Sequence, residues 1–251
     1  LVPCNGKFPT LIALITMFFI GGEGGALRSF QAAGILLAVL VLGVAGTLLC
    51  SRLLSATVLR GMPTSFALEL PPYRKPRVGQ ILVRSVLDRT LFVLGRAAAV
   101  AAPAGVVIWV LANAAPGGVS LLSRCTGFLD PFARLFGLDG VILMAFLLGW
   151  PANEIVIPVM LMAYLSAGTL VEMGDLSALR TLLTEQGWTA ATAVCTMLFS
   201  LFHRPCSTTC LTVYRETKSV KWTALAVLLP TVLGLAVCFA AASLGRLLGR
   251  G

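Results

Sequence analysis

Charge is what this sequence has least of. Asp and Glu together number 10 of 251 residues against 19 Lys and Arg, and His203 is the single histidine. With 12% charged residues, 58% hydrophobic residues and a mean hydropathy of +0.94, the chain lacks the polar surface that a water-soluble domain needs. It also has no Walker A sequence, no G-x-G-x-x-G and no Cys-x-x-Cys pair, so neither nucleotide hydrolysis nor a motif-held structural zinc is read from it. Leu1-Val2-Pro3-Cys4 opens the chain without an initiator methionine, a basic n-region or a signal-peptide cleavage site, and reads as the start of a piece of a longer protein. Seven cysteines are present, but Cys50, Cys195 and Cys238 sit inside apolar runs as small hydrophobes, which argues against a disulfide framework.

What is present is a series of apolar runs separated by short basic segments. The net charge of +9 therefore reads as membrane topology, and a nucleic-acid partner is not expected. A helix needs roughly 20 mostly apolar residues to cross a bilayer. Ala32 to Cys50, Leu91 to Ala112 and Trp222 to Leu244 meet that length, the last with Pro230 as a kink. Leu11 to Ile20 is short and must borrow from Phe8 onward. Val119 to Leu138 and Leu176 to Gln186 read as amphipathic helices, the first of them interfacial. Val141 to Ala167 and Trp188 to Tyr214 are long enough to span, yet proline interrupts both. Arg52 to Arg89 and the cluster Arg215, Lys218 and Lys221 belong on the cytoplasmic side, which requires Val141 to Ala167 to be a re-entrant hairpin.

The interruptions carry the chemistry. Proline frees carbonyls that hydrocarbon cannot satisfy, so a break at membrane depth survives only where protein or a polar cavity covers it. After Pro205 come Cys206, Ser207, Thr208, Thr209 and Cys210, soft sulfur and hydroxyl oxygen beside those carbonyls. If helix resumes there, Cys206 and Cys210 share a face. Pro151-Ala152-Asn153-Glu154 sets a carboxylate and an amide at a second break, and an ionisable residue at membrane depth is a functional candidate by default. Val2-Pro3-Cys4 repeats the Pro-Cys pattern of Arg204-Pro205-Cys206 and points to pseudo-symmetric halves of the kind found in transporters. Mixed sulfur and oxygen donors favour a borderline ion such as ferrous iron, zinc or manganese. Two other readings stand beside this one. One is a carrier of nucleosides or other small solutes, which needs aromatic and amide side chains at the breaks. The other is an intramembrane enzyme with Cys206 or Cys210 as nucleophile and His203 as base, which needs the imidazole within hydrogen-bond reach of a sulfur.

Several motifs, taken in order, resemble the membrane region of the ferrous iron transport protein B family. They are Pro3-Cys4 with Lys7-Phe8-Pro9, Glu69-Leu70-Pro71-Pro72-Tyr73-Arg74 leading to Pro76, Gly149-Trp150-Pro151-Ala152-Asn153-Glu154, and Pro205-Cys206 followed by Tyr214-Arg215-Glu216-Thr217. The resemblance implies an all-α polytopic transmembrane bundle with broken or re-entrant helices at its proline motifs. It divides the chain into the end of a first Gate region (1–31), a helix with a basic cytoplasmic loop (32–90) and a second Gate region (91–251). It implies a permease rather than an enzyme, carrying ferrous iron across the inner membrane of a bacterium. The metal path would use Cys4, Cys206, Asn153 and Glu154, with Ser207 and Cys210 beside them. No cofactor is expected in this chain. GTP would be bound by a G domain outside it, and the other partners would be the bilayer, amino-terminal helices of the parent protein, small Feo accessory proteins and further copies of the same chain. After Cys4 this sequence has Asn5-Gly6-Lys7 where many members have Ser-Ala and a basic residue, so hydroxyl chemistry is reduced there.

Overall fold

A computed structural model describes residues 4–20, 25–57, 79, 83–84 and 91–247. The Glu69 to Pro76 motif, most of the basic segment between Arg52 and Arg89, Pro3 and Glu23 lie outside the described residues. Within them the chain is helical. α1 (Phe8–Ile15) is entered through a 3-10 turn (Asn5–Lys7) and runs on into a π-helical turn (Thr16–Ile20). α2 (Ala26–Ala56), α3 (Phe92–Asn113), α4 (Leu121–Leu135), α5 (Gly140–Leu148) and α6 (Val156–Tyr164) follow. α7 (Leu176–Glu185), α8 (Ala190–Phe202), α9 (Ser207–Thr217) and α10 (Val220–Leu247) complete the set. The all-α bundle with proline-broken segments is the architecture expected.

Two kinds of helix make it up. α2 has 31 residues and α10 has 28, each long and apolar enough to cross a bilayer, and only 6% and 11% of their most apolar windows is buried. Most of their surface is apolar and faces outward, as suits helices solvated largely by lipid, with one side of each packed on the rest of the bundle. α3, at 22 residues, covers the span read from Leu91 to Ala112. By contrast α1, α5, α6 and α8 are short and buried. Leu11, Leu14, Ile142, Phe146, Val156, Leu161, Cys195 and Phe199 all belong to one hydrophobic core. Nine residues of helix reach about 13 Å, less than half the hydrocarbon thickness, so neither α5 nor α6 crosses alone.

The chain also repeats itself in a pairing other than that of its two Pro-Cys motifs: the segment broken near Pro151 matches the one broken at Pro205. Amphipathic α4 ends at Gly137 (φ +69°), where the Leu138 N–H returns to the Ala133 carbonyl, and Asp139 then caps α5 by accepting from Ile142 N at 2.6 Å. Amphipathic α7 ends at Gly187 (φ +87°), where the Trp188 N–H returns to the Leu183 carbonyl, and Thr189 caps α8 by accepting from Thr192 N at 3.2 Å. Both are glycine-terminated helix ends leading straight into a capped apolar helix. That apolar helix is in each case interrupted near a proline, Pro151 or Pro205, and followed by another helix. α4 and α5 meet at 110°. A Cβ on Gly140 would lie 2.0 Å from the Thr126 carbonyl oxygen, so no other residue fits this bend. The two units are tied together where the Trp188 indole donates to the Tyr164 hydroxyl at 2.8 Å and that hydroxyl bonds to the Asp139 carboxylate.

Candidate functional site

Three interruptions of the helical backbone meet. The first is Cys4 with the 3-10 turn after it, the second runs from Gly149 through the 3-10 turn Asn153–Ile155, and the third runs from His203 to Cys206. Local sequence explains each one. Pro9 suits the first turn of α1, where no backbone donor is needed. Gly149 closes α5 because a side chain there would meet Val156 and the Ala145 carbonyl, and Pro151 cannot continue the helix. Pro205 forces Arg204 away from helical conformation, so α8 ends at an extended His203 and Cys206 becomes the N-cap of α9.

Hydrogen bonds knit the interruptions pairwise. The Asn153 amide donates to the Cys4 sulfur at 3.5 Å, which joins the first to the second. Ser207 joins the second to the third, its backbone N–H donating to the Trp150 carbonyl at 3.0 Å and its hydroxyl to the Pro151 carbonyl at 3.3 Å. Lys7 joins the third to the first: its ammonium lies 3.4 Å from both the Leu201 and the His203 carbonyl oxygens.

Freed carbonyls are met by cations brought from elsewhere in the fold. The last carbonyls of α5, on Phe146 and Leu147, accept from the Arg204 guanidinium at 3.1 and 2.9 Å, and that guanidinium also lies over the Trp150 ring. The Arg134 and Leu135 carbonyls of α4 accept from Arg246. Lys7 does the same for α8. Positive charge at a helix C-terminus is where the helix dipole favours it.

The expected site residues fall into two groups. Cys4, Asn153, Cys206 and Ser207 sit on the connected interruptions. Asn153 is 5% exposed, and its Oδ1 has no hydrogen-bond partner among the described residues, a buried oxygen free to accept. Cys206 is half-buried, with the hydroxyls of Thr208 and Thr209 at 3.1 and 3.2 Å from its sulfur. Glu154 is exposed and packs beside Gly6, whose hypothetical Cβ would come within 3.2 Å of its Cγ. Cys210 lies one turn further on: its backbone N–H donates to the Cys206 carbonyl at 3.0 Å at the start of α9, and its buried thiol points back at the Pro205 carbonyl at 3.7 Å. Among the described residues no three His, Cys, Asp or Glu side chains gather closely enough to hold one ion.

His203 does not support cysteine catalysis. The Ser200 carbonyl can only accept, so Nδ1 carries the proton of the neutral ring, and Nε2 has no partner among the described residues. The ring is 4% exposed and packs between Phe146 and Phe199, and among the described residues no sulfur is hydrogen-bonded to it. What sequence reasoning missed is Lys7 and Arg204. Each is a cation in an apolar stretch beside a proline, and that was the available signal.

Comparison with known proteins agrees with this arrangement. The family described as Gate, nucleoside recognition, matches residues 94–220, and the ferrous iron transport protein B C terminus family matches residues 36–88. The Fe(2+) transporter FeoB of Staphylococcus aureus strain MSSA476 is 27% identical over 255 residues, covering 97% of this chain and 35% of the relative. That of Methanocaldococcus jannaschii is 26% identical over 262 residues, covering 99% and 36%. A Fe(2+) transport protein A/Fe(2+) transporter FeoB fusion protein of Porphyromonas gingivalis is 30% identical over 111 residues, covering 44% and 12%. The chain thus spans about a third of the length of the first two relatives, and no solved structure matches it. With a Gate match over half of its residues, preceded by the ferrous iron transport protein B segment, the chain belongs to the Gate family as a membrane region of the ferrous iron transport protein B type.

Proposed function

We propose that the three joined interruptions line a path along which ferrous iron crosses the membrane. The observation that carries this reading is Asn153, a buried amide that holds the Cys4 sulfur with one atom and leaves its oxygen unpaired. Sulfur from Cys4 and Cys206 supplies the soft donors that a borderline ion prefers to magnesium or calcium. Asn153, Ser207 and the remaining lone pairs of the Trp150 and Pro151 carbonyls supply oxygen in place of waters. Glu154 adds negative charge where the ion enters or leaves, and Cys210 lines the third interruption from behind. A transport site has to release its ion, so partial donor sets met in succession suit it better than a closed cage. The reading places the chain in the inner membrane of a bacterium. Gating comes from a GTP-binding domain of the parent protein, with small accessory proteins and further copies of the chain as partners.

The test is anaerobic uptake of radiolabelled ferrous iron by cells making the full-length protein, with manganese and zinc as competitors. Cys206→Ser and Glu154→Gln are each expected to lower uptake by about tenfold or more, the scale of losing one well-placed interaction with the moving charge. Uptake unchanged in both would remove these side chains from the path. A carrier of nucleosides or other small solutes is the second reading, favoured by an aromatic ring, Trp150, and an amide, Asn153, at one interruption. It predicts no iron uptake and indifference to loss of cysteine.

A further inference from the structure

Lys7 is the least expected group in the core. It is 5% exposed, and a lysine ammonium withdrawn from water ordinarily needs a carboxylate to pay for its desolvation. No carboxylate is paired with it among the described residues. Its partners are two carbonyl oxygens, on Leu201 and His203, both at 3.4 Å. Those oxygens belong to the end of α8, where Pro205 stops the helix and the aligned peptide dipoles leave partial negative charge. The ionisable side chains near the ammonium are Cys4 and Cys206, one from each Pro-Cys motif, and the His203 ring. The donor set is that of a cation site: two carbonyl oxygens, two sulfurs within electrostatic reach, and a cation already present on a flexible four-carbon stem.

We propose that this carbonyl pair is a cation subsite of the path, and that Lys7 is its tethered occupant. A divalent ion passing between Cys4 and Cys206 competes with the ammonium for the same oxygens and must displace it. The stem that lets the ammonium reach the carbonyls also lets it swing away. The lysine thereby sets a threshold: an ion enters only if sulfur and oxygen ligation outweighs expulsion of the resident charge, which disfavours ions that bind thiolate weakly. The inference rests on the iron-path reading and adds to it a selectivity device. A lysine that merely capped α8 would make the opposite prediction, since removing it would loosen the end of the helix and weaken any site built there.

The full-length protein, purified in detergent without oxygen, is titrated with Co2+ alone while the sulfur-to-cobalt charge-transfer absorption is followed. Lys7→Met keeps the length of the side chain and removes the charge, and Lys7→Arg keeps the charge. Lys7→Met is expected to bind Co2+ about tenfold more tightly, the scale set by removing one like charge from within a few ångströms. Lys7→Arg should bind no more tightly than wild type. Equal or weaker binding by a folded Lys7→Met protein would overturn the proposal. Should that variant fail to fold, Lys7→Gln still donates to both carbonyls without charge. It carries the same expected gain, and affinity equal to wild type would overturn the proposal in the same way. If wild type shows no charge-transfer band and Cys206→Ser binds Co2+ equally well, sulfur is not in the path and the underlying reading falls together with this one. A band that is present in wild type and unmoved in affinity by loss of Lys7 overturns the tethered cation alone.

Discussion

Pro205 and Pro230 each follow a long apolar run, yet one ends a helix and the other is carried inside one. α10 runs unbroken through Pro230, which leaves the Ala226 carbonyl without its helical donor, while the adjacent Thr231 hydroxyl donates one residue along, to the Val227 carbonyl at 2.7 Å. At Pro205 the repair comes from far away in the chain: Lys7 reaches the carbonyls before the break, and Ser207 after it bonds to Trp150 and Pro151. The same contrast separates the two classes of helix. Apart from the Ala226 carbonyl, α2 and α10 satisfy their own backbone and face lipid. The interrupted helices cannot do so, and are buried where other interruptions complete their bonding. A proline in an apolar run is thus carried where the helix continues past it, and marks a junction where distant residues complete the bonding.

The largest expected effect comes from removing that difference. Pro205→Ala restores a donor and lifts the restriction on Arg204, so α8 can extend toward α9 and draw Ser207 off the Trp150 and Pro151 carbonyls. Iron uptake should fall by on the order of tenfold or more, since displacement of about 1 Å is enough to spoil a ligand set. Pro230→Ala should leave uptake within about twofold, as substitutions away from critical contacts usually do. Equal uptake in both variants would place the cause of the break in the tertiary hydrogen bonds rather than in the proline.

Asn153 gives the next prediction, in which stability and function separate. Its unpaired Oδ1 is a buried acceptor of the kind that costs about 1–3 kcal/mol. Asn153→Leu relieves that cost and forfeits the bond to the Cys4 sulfur. Thermal melting of the purified full-length protein should therefore be unchanged or raised while uptake is lost. A melting temperature that falls together with uptake would make Asn153 a structural residue.

Much of this was legible beforehand, and the exceptions have physical causes. Hydropathy and run length marked α2 and α10, because a helix facing lipid must be apolar over most of its surface. Proline together with polar residues marked the interruptions at 149–155 and 203–206. The shared face of Cys206 and Cys210 rested on helix resuming after Pro205, and it resumes at Ser207, with Cys206 as an extended N-cap whose carbonyl accepts from the Cys210 N–H. The joining of the interruptions was not legible at all: Asn153 to Cys4, Lys7 to the end of α8 and Arg204 to the end of α5 are contacts between distant parts of the chain. Nor was the unit α4, α5 and α6 matched to α7, α8 and α9, since its markers are single residues, Gly137 with Asp139 and Gly187 with Thr189, too sparse to register as a sequence repeat.

The smallest prediction returns to the lipid-facing helices, where one surface is not like the rest. Gly46 of α2 faces the end of α8, and a Cβ there would lie 2.6 Å from the Phe202 ring, which is itself buried and closes the core beside His203. Gly34, three turns earlier on the same helix, has nothing within 4 Å. Gly34→Ala should be neutral or stabilising by up to about 1 kcal/mol, because alanine is the better helix former and lipid yields to a methyl group. Gly46→Ala carries the same intrinsic gain but must push α2 or Phe202 aside, an overpacking cost of about 1–3 kcal/mol, so its melting temperature should drop. A shifted Phe202 would press on the last turn of α8, whose carbonyls hold Lys7, so Gly46→Ala should also change Co2+ affinity slightly where Gly34→Ala does not. If the two alanines behave alike, α2 is solvated by lipid on every side and has no part in holding the site.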